Sequence, residues 1–241
     1  TRGKVGLPIS WRYEKPIVFQ KGNESMEFSR EGEFIVLKVK YKAINGALRL
    51  KVLNNMDLIA NVIPFKNPKQ FVYAQKVNCL IPQGSIDVNG TEYEFSERTE
   101  SYGALDWTRA RFPYSNSWKW CSASGKVNNQ YFGFNLDYGF GLESSKSMVF
   151  LNGKGHHLDE IYYDLDPKNL KKPVRIISND DRLNLTLIPT QTLKEGVNLG
   201  IIKMKGLKVY GFFKGKVILD SGEYFEIKEE DRLFGWAESF S

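Results

Sequence analysis

Apolar and polar residues alternate with a period of two wherever the chain shows a regular pattern. Ile35, Leu37, Val39 and Tyr41 interleave with Val36, Lys38 and Lys40; Leu48, Leu50 and Val52 with Arg49 and Lys51; Leu183, Leu185 and Leu187 with Asn184 and Thr186. Successive side chains of a strand point to opposite faces, so this pattern predicts half-buried strands with one wet face. Asn45-Gly46, Asn89-Gly90 and Asn152-Gly153 predict two-residue hairpin turns, because both central residues of such a turn take positive φ and Asn-Gly does so at least cost. Asp220-Ser221-Gly222, between Val217-Ile218-Leu219 and Tyr224-Phe225-Glu226-Ile227, predicts another hairpin.

No window of helical periodicity exceeds two turns, and segment 168–173 reads as a loop. A parallel sheet with crossover helices is therefore disfavoured. The expected fold class is all-β and antiparallel, with two barrel or sandwich lobes sharing an interface. The polar stretch Ser96-Glu97-Arg98-Thr99-Glu100 sets the expected boundary between an N-terminal lobe over 1–100 and a C-terminal lobe over 101–241. No short-period repeat is present.

Composition sharpens the class. At 241 residues the chain can bury roughly 70% of its unfolded surface. Aromatic residues make up 14%, a share that favours pleated, ring-packing surfaces. The net charge of +6 comes from lysines spread along the chain without an Arg-rich block, so no nucleic-acid partner is expected. No apolar run reaches the length of a membrane span, so no integral span is expected.

Cys79 and Cys121 form neither a disulfide framework nor a C-x-x-C pair and are read as buried reduced thiols. Three sequons, at Asn23, Asn89 and Asn184, would matter only in a secreted chain, and without a visible signal peptide the expected location of this soluble protein is cytoplasmic. The chain opens on Thr1 without a Met, as a piece of a longer protein would. Its oligomeric state is left open.

Costly side chains concentrate in Leu105-Asp106-Trp107-Thr108-Arg109-Ala110-Arg111-Phe112-Pro113-Tyr114 and in Trp118-Lys119-Trp120. If the first segment is extended, Asp106, Thr108 and Ala110 face one way and Trp107, Arg109 and Arg111 the other, while Trp118 and Trp120 share a face. Such residues can build a pocket wall: a carboxylate for proton transfer, a guanidinium to hold an oxyanion, and indoles to shape an apolar cavity. They would serve equally as an Asp-Arg pair fixing a strand end beside rings that fill a β-core, and composition alone favours that structural role. Near the C-terminus, Leu233-Phe234-Gly235-Trp236-Ala237-Glu238 places a carboxylate two residues after an indole, on the same face of a strand.

Other chemistry is poorly supported. The only histidines, His156 and His157, are strand neighbours pointing to opposite faces, so they make poor joint ligands, and no further metal-ligand spacing exists; His156 could serve as acid or base with Asp159 or Glu160, and an exposed hairpin residue is the favoured reading. Gly139-Phe140-Gly141 lacks the third glycine and the helix of a phosphate loop and is read as a bend. No G-x-S-x-G elbow is present. Asp180-Asp181 and Glu229-Glu230-Asp231 read as solvated loops, with Asp181-Arg182 a local pair.

Laid out in this way, the chain resembles the family defined by domain of unknown function 2804, whose pattern includes L-D-W-G-R-G-x-W-P-Y, W-x-W-x-S-A-S-G, G-x-N-x-G-x-G-F-G, a D-G-R segment before a strand ending in Pro, and G-F-x-E. The matching residues here are Leu105-Asp106-Trp107-Thr108-Arg109 with Pro113-Tyr114, Trp118 to Gly125, Gly133 to Gly141 with Asn135, Asp181-Arg182 with Pro189, and Gly235-Trp236-Ala237-Glu238; upstream, Pro64-Phe65 and Lys76-Val77-Asn78-Cys79 also fit. The resemblance implies a lipocalin-related architecture of two barrel-like lobes, similar to the carotenoid-hydratase-like group, and by itself carries no chemistry. Thr108 and Ala110 stand where the pattern has glycines, Phe112 where it has a tryptophan, Lys146-Ser147 where it has an acidic-asparagine pair and Leu207-Lys208 where it has His-Gln. Asp106-Trp107-x-Arg109 and the aromatic frame remain.

The leading expectation is a cofactor-free lipocalin-like protein that binds a mainly apolar small molecule in a cavity lined by Trp107, Tyr114, Trp118, Trp120 and Trp236, with Asn135 beside them. The rival is a cofactor-independent enzyme of hydratase, isomerase or cyclase type, with Asp106 as acid or base, Arg109 stabilising negative charge and Glu238 as a second carboxyl; no metal ligands are assigned. A structural or interaction module without a small-molecule site is the third.

Overall fold

A computed structural model describes residues 12, 14–139, 141, 147–198 and 203–241; Thr1, Phe140 and Lys146 lie outside them. The alternating segments form eighteen strands: β1 (Ile17–Lys21), β2 (Glu24–Glu31), β3 (Phe34–Tyr41), β4 (Ile44–Lys51), β5 (Ile59–Pro64), β6 (Phe71–Val88), β7 (Thr91–Phe95), β8 (Gly103–Arg111), β9 (Trp118–Val127), β10 (Gln130–Tyr138), β11 (Ser147–Leu151), β12 (Lys154–Leu158), β13 (Ile161–Tyr162), β14 (Val174–Ser178), β15 (Leu183–Asn198), β16 (Lys203–Ile218), β17 (Tyr224–Ile227) and β18 (Leu233–Phe240). The only helical turns among the described residues are two short 3-10 segments, Glu97–Thr99 and Glu229–Asp231.

Among the described residues all strand pairings are antiparallel, in two sheets. One, a half-barrel, runs β1-β2-β3-β4-β6-β5, with β7 and β8 also on β6; the other, a nearly closed barrel, runs β12-β11-β10-β9-β18-β16-β15-β14-β13, with β17 on β16. The chain passes from the first sheet to the second between Arg111 and Trp118, so Asp106 and Arg109 belong to the first sheet and the two indoles of β9 to the second.

Turn chemistry explains most hairpins. Asn89-Gly90 and Asn152-Gly153 turn as expected with positive φ, and Asn128-Asn129 does the same between β9 and β10. Asn45-Gly46 does not turn. The β3–β4 reversal falls at Lys42-Ala43, and Gly46 lies inside β4, where a Cβ would stand 2.3 Å from the Ser85 carbonyl oxygen on β6. That glycine is there for close strand approach.

The barrel holds an apolar core. Cys121, Ala123, Phe132, Phe134, Leu136, Ile176, Leu185, Val209, Phe213 and Phe225 are all buried in one apolar core. Phe132 stacks on Phe225 with centroids 4.9 Å apart, and Phe134 meets Phe213 edge-on at 5.0 Å. By the two-residue alternation, Trp118, Trp120, Ser122 and Ser124 of β9, Asn135 and Asp137 of β10, and Trp236, Glu238 and Phe240 of β18 point away from this core.

The two sheets are locked together through β6. Its pairing with β8 slips between Val77 and Leu80, an extra residue that puts Cys79 in the left-handed region at φ 54. A bulge of this kind redirects side chains, and Asn78 and Cys79 both reach the second sheet. The Asn78 amide nitrogen donates among Phe134 O at 3.0 Å, Ala123 O at 3.1 Å, and the hydroxyls of Ser122 and Ser124 at 3.2 Å. Its oxygen accepts from the Asn135 amide, whose own oxygen accepts from Trp120 Nε1. Gly133 leaves room for the bulge, since a Cβ there would lie 2.8 Å from Cys79 Sγ.

Asn78→Ala removes this plug and leaves the Asn135 amide without its acceptor. A loss of about 2–4 kcal/mol is expected from the unsatisfied groups and the cavity together. A urea unfolding midpoint indistinguishable from that of the parent protein would contradict this role for Asn78.

Candidate functional site

Below the bulge the two sheets part and leave between them a cavity of about 180 Å³ that is partly open to solvent. The strand registers build its first wall. Asp106 pairs with Lys76 and Lys76 with Ile59; Thr108 pairs with Ala74 and Ala74 with Asn61; one row further, Val72 pairs with Ile63. These β8-β6-β5 rows share a face, and all but Val72 and Ile63 carry at least one polar member. The opposite wall comes from the outer face of the barrel, where Trp120 pairs with both Asp137 and Glu238 and Trp118 stands in the next row. Phe112 closes one side, stacked on Trp118 at 6.3 Å, while Trp118 stacks on Phe240 at 4.8 Å.

Four ionisable groups meet here. Lys76 Nζ lies 2.9 Å from Asp137 Oδ1 and 4.1 Å from the centroid of the Trp120 ring, with both charged side chains buried. Glu238 accepts from Trp118 Nε1 at 2.9 Å through one oxygen, and its other oxygen is 3.7 Å from Lys208 Nζ. Asp106, which is exposed and sits at the cavity margin, accepts from the Thr108 hydroxyl at 2.5 Å.

Burial pushes the Asp137 carboxyl above its ordinary value against the pull of Lys76, and nearby Asp106 adds to the rise. Burial likewise raises Glu238, with the Trp118 hydrogen bond and the Lys208 charge opposing it. A carboxyl held above its usual range beside an apolar cavity can keep a proton to give.

Of the residues expected from sequence, Asp106, Trp118, Trp120 and Glu238 are brought together around the cavity. Trp236 stands behind Trp120, edge-on at 5.1 Å, and Asn135 is buried in the Asn78 network. Trp107 packs on the other face of β8 with Ile35, Val77 and Leu80, and Arg109 shares that face and is exposed. Tyr114 is 84% exposed in the segment joining the sheets. Lys76, Asp137, Asn61 and Phe112 line the cavity without having been named as candidate site residues. The first two were detectable as single charges inside long apolar strands, Lys76 in Ala74-Gln75-Lys76-Val77 and Asp137 after Phe134-Asn135-Leu136, where an unpaired charge would be prohibitive.

Elsewhere, His156 is buried rather than exposed: its Nδ1 accepts from the Asp220 backbone at 3.3 Å, and burial holds its pKa below the ordinary histidine value. Arg182 pairs with Asp220 at 2.6 Å instead of Asp181. Both cysteines are free and buried, with the Cys79 thiol pushed up to about 12 by burial, which leaves it protonated and unreactive. Among the described residues no cluster of His, Cys, Asp and Glu could hold a metal ion, and no helix is long and apolar enough to cross a membrane.

The raised Glu238 pKa couples stability to pH. The folded chain keeps a proton that the unfolded chain releases above the ordinary value of 4.5. The stabilisation is therefore full below that value and is lost as pH rises through the folded pKa. Glu238→Gln, permanently uncharged, is expected to lose less stability than the parent as pH climbs from about 4 to 8. Parallel pH series of thermal unfolding check this, and superimposable trends would refute it.

No curated protein matches the chain. Solved structures that share its fold include the following two. One is a protein assigned as AttH from Nitrosomonas europaea, 12% identical, with a TM-score of 0.52 over 89% of this chain and 67% of that one. The other is kievitone hydratase from Nectria haematococca, 10% identical, with a TM-score of 0.54 over 92% and 69% of the two chains. The model of a domain of unknown function, DUF2804, matches residues 1–241, and the chain belongs to that family.

Proposed function

We propose that the chain binds a small, mainly apolar molecule in the cavity between its sheets and exchanges a proton with it, as a hydratase, isomerase or cyclase does. The observation that carries this is the placement of two unlike carboxyls on opposite walls of one largely apolar cavity: buried Glu238, its pKa raised, and exposed Asp106. Paired groups whose surroundings differ in this way suit a division between general acid and general base. The hydratase among the fold's neighbours agrees with such chemistry, although at 10% identity it supports the architecture alone.

In this scheme Glu238 gives its proton to the bound molecule, at an unsaturated carbon or a departing hydroxyl. Asp106 accepts one from water or from carbon at the other side, and exchange with solvent restores both carboxyls. Lys76 and Asp137 satisfy each other and form the charged floor that orients the Trp120 ring. Arg109, on the far face of β8, takes no part in the chemistry.

The size of the cavity limits the ligand. About 150 Å³ of apolar cavity accommodates one benzene molecule, and drug-sized ligands occupy about 300 Å³ or more. A space of about 180 Å³ fits a single small ring or a short branched chain.

A panel of compact alkenes, ketones and alcohols is expected to include members that quench tryptophan emission, through Trp118 and Trp120. Deuterium from D2O is expected to enter the bound molecules, and Glu238→Gln to slow this by about 10²–10⁴-fold while binding persists. Absence of quenching by every member would overturn the binding step; equal exchange in the parent and Glu238→Gln would overturn the catalytic one.

A further inference from the structure

Basic residues are scattered along the chain, but acids are missing from two stretches: none falls between Asp57 and Asp87, and none between Asp106 and Asp137. The fold sets these stretches side by side. At one end of the half-barrel Phe71 of β6 pairs with Pro64 of β5 and with Arg111 of β8, and two residues further along Tyr73 pairs with Val62 and Arg109. These residues share the face opposite to that of Ile63 and Val72, which line the cavity. The turn from β5 to β6 adds Lys66 and Lys69, and the segment after β8 adds Phe112 and Tyr114. Gln70 Nε2 donates to the Phe112 carbonyl at 3.2 Å, and the Phe65 ring meets Phe112 edge-on at 6.4 Å, so the turn and the segment form one rim.

Two properties set this rim apart. Its large apolar side chains face solvent: Val62 is 60% exposed, Phe71 41%, Phe112 45% and Tyr114 84%. Single exposed apolar residues are ordinary, but a group of them marks an interaction surface. Its charge is also of one sign. Lys66, Lys69, Arg109 and Arg111 are exposed, and none is paired with an acid among the described residues. Elsewhere on the same half-barrel Lys38, Arg49 and Lys51 each meet a glutamate.

We propose that this rim docks the protein on an anionic lipid bilayer, with the four cations over the headgroups and Phe71, Phe112 and Tyr114 entering the interface. Aromatic side chains settle at headgroup level, and each Lys or Arg held near an anionic membrane surface strengthens binding about fivefold. A polyanion would match the charge alone; a bilayer matches the charge and the exposed hydrocarbon together. Phe112 belongs both to the rim and to the cavity lining, so docking brings the cavity beside the membrane, where a mainly apolar ligand concentrates. That last link rests on the binding reading above, and the docking itself does not.

Flotation of the full chain with vesicles tests this, using phosphatidylcholine alone and phosphatidylcholine with phosphatidylserine. The parent is expected to float with the mixed vesicles, less so as salt rises, and to stay behind with the neutral ones. Replacing two cations together, Lys66→Gln with Lys69→Gln, is expected to weaken partitioning by about 25-fold. Arg109→Gln with Arg111→Gln repeats the measurement in case the first pair does not fold. Tyr114→Ser, which changes no charge, is expected to weaken partitioning several-fold. No flotation of the parent, or undiminished flotation of a folded charge variant, overturns the docking surface. Flotation that needs the cations but ignores Tyr114→Ser overturns the entry of the rings, and binding to heparin without flotation overturns the bilayer in favour of a polyanion. Quenching by the small-molecule panel in vesicle-free buffer reads the cavity separately, so failure of the docking leaves that reading standing.

Discussion

The insertion of the β6 bulge into the outer face of the barrel is the contact on which the rest of the structure depends. Asn78 is fully buried, and its amide reaches backbone carbonyls on both β9 and β10, groups already engaged in the barrel's own ladders. A polar side chain used in this way acts as an extra strand partner delivered side-on. It fixes one position and one orientation between two sheets that otherwise meet through a few side chains. The extra residue in β6 is what permits it, because an unbroken alternation would turn either Asn78 or Cys79 back into the half-barrel. Cys79 tolerates an unfavourable left-handed backbone there, and Gly133 gives up its side chain to admit it.

The cavity follows from that fixed point. At the bulge the sheets touch; one step along β6 the gap is spanned by the Lys76–Asp137 pair, and beyond it the walls are far enough apart to leave space. A buried ion pair contributes little net stability, since the desolvation of both charges offsets their attraction. It does resist replacement by one partner alone, and so it holds the floor of the cavity in a single arrangement. Trp120 binds the two devices together. Its ring lies under the Lys76 ammonium while its N–H donates to Asn135, which in turn is held by Asn78. The indole that shapes the cavity is thus positioned by the residue that joins the sheets.

Much of this architecture was legible because half-buried antiparallel strands write themselves as alternation. The hairpins at Asn89-Gly90 and Asn152-Gly153, the loop over 168–173 and the absence of long helices among the described residues all followed from local chemistry. Asn45-Gly46 misled because glycine has two uses: at position 46 it admits a neighbouring backbone and takes no part in the turn. Alternation also separated Asp106 and Thr108 from Trp107 and Arg109, and that separation counts against treating Asp106 and Arg109 as one catalytic pair. Lys76 and Asp137 escaped notice because they stand 61 residues apart and explain each other only across the interface. Asn61 was invisible for another reason: an asparagine in Ile59-Ala60-Asn61-Val62-Ile63 looks like the polar face of an edge strand until its face is known to be covered.

A barrel resembling lipocalins invites the expectation that a ligand lies inside it, and the packing here argues otherwise. Phe132, Phe134, Phe213 and Phe225 pack as paired rings within that interior's apolar core. The polar residues have been moved to the outside of the same strands, where β9, β10 and β18 present Trp118, Trp120, Asp137 and Glu238 to the half-barrel. For the proposed proton transfer, the barrel contributes Glu238 and the indoles, and the half-barrel contributes Asp106 and the lysine that pairs with Asp137. Burial raises the Glu238 pKa on a wall that the half-barrel faces. The function proposed for the chain is accordingly a property of the interface, and the Asn78 plug that sets the spacing of the sheets also sets the electrostatics of the site.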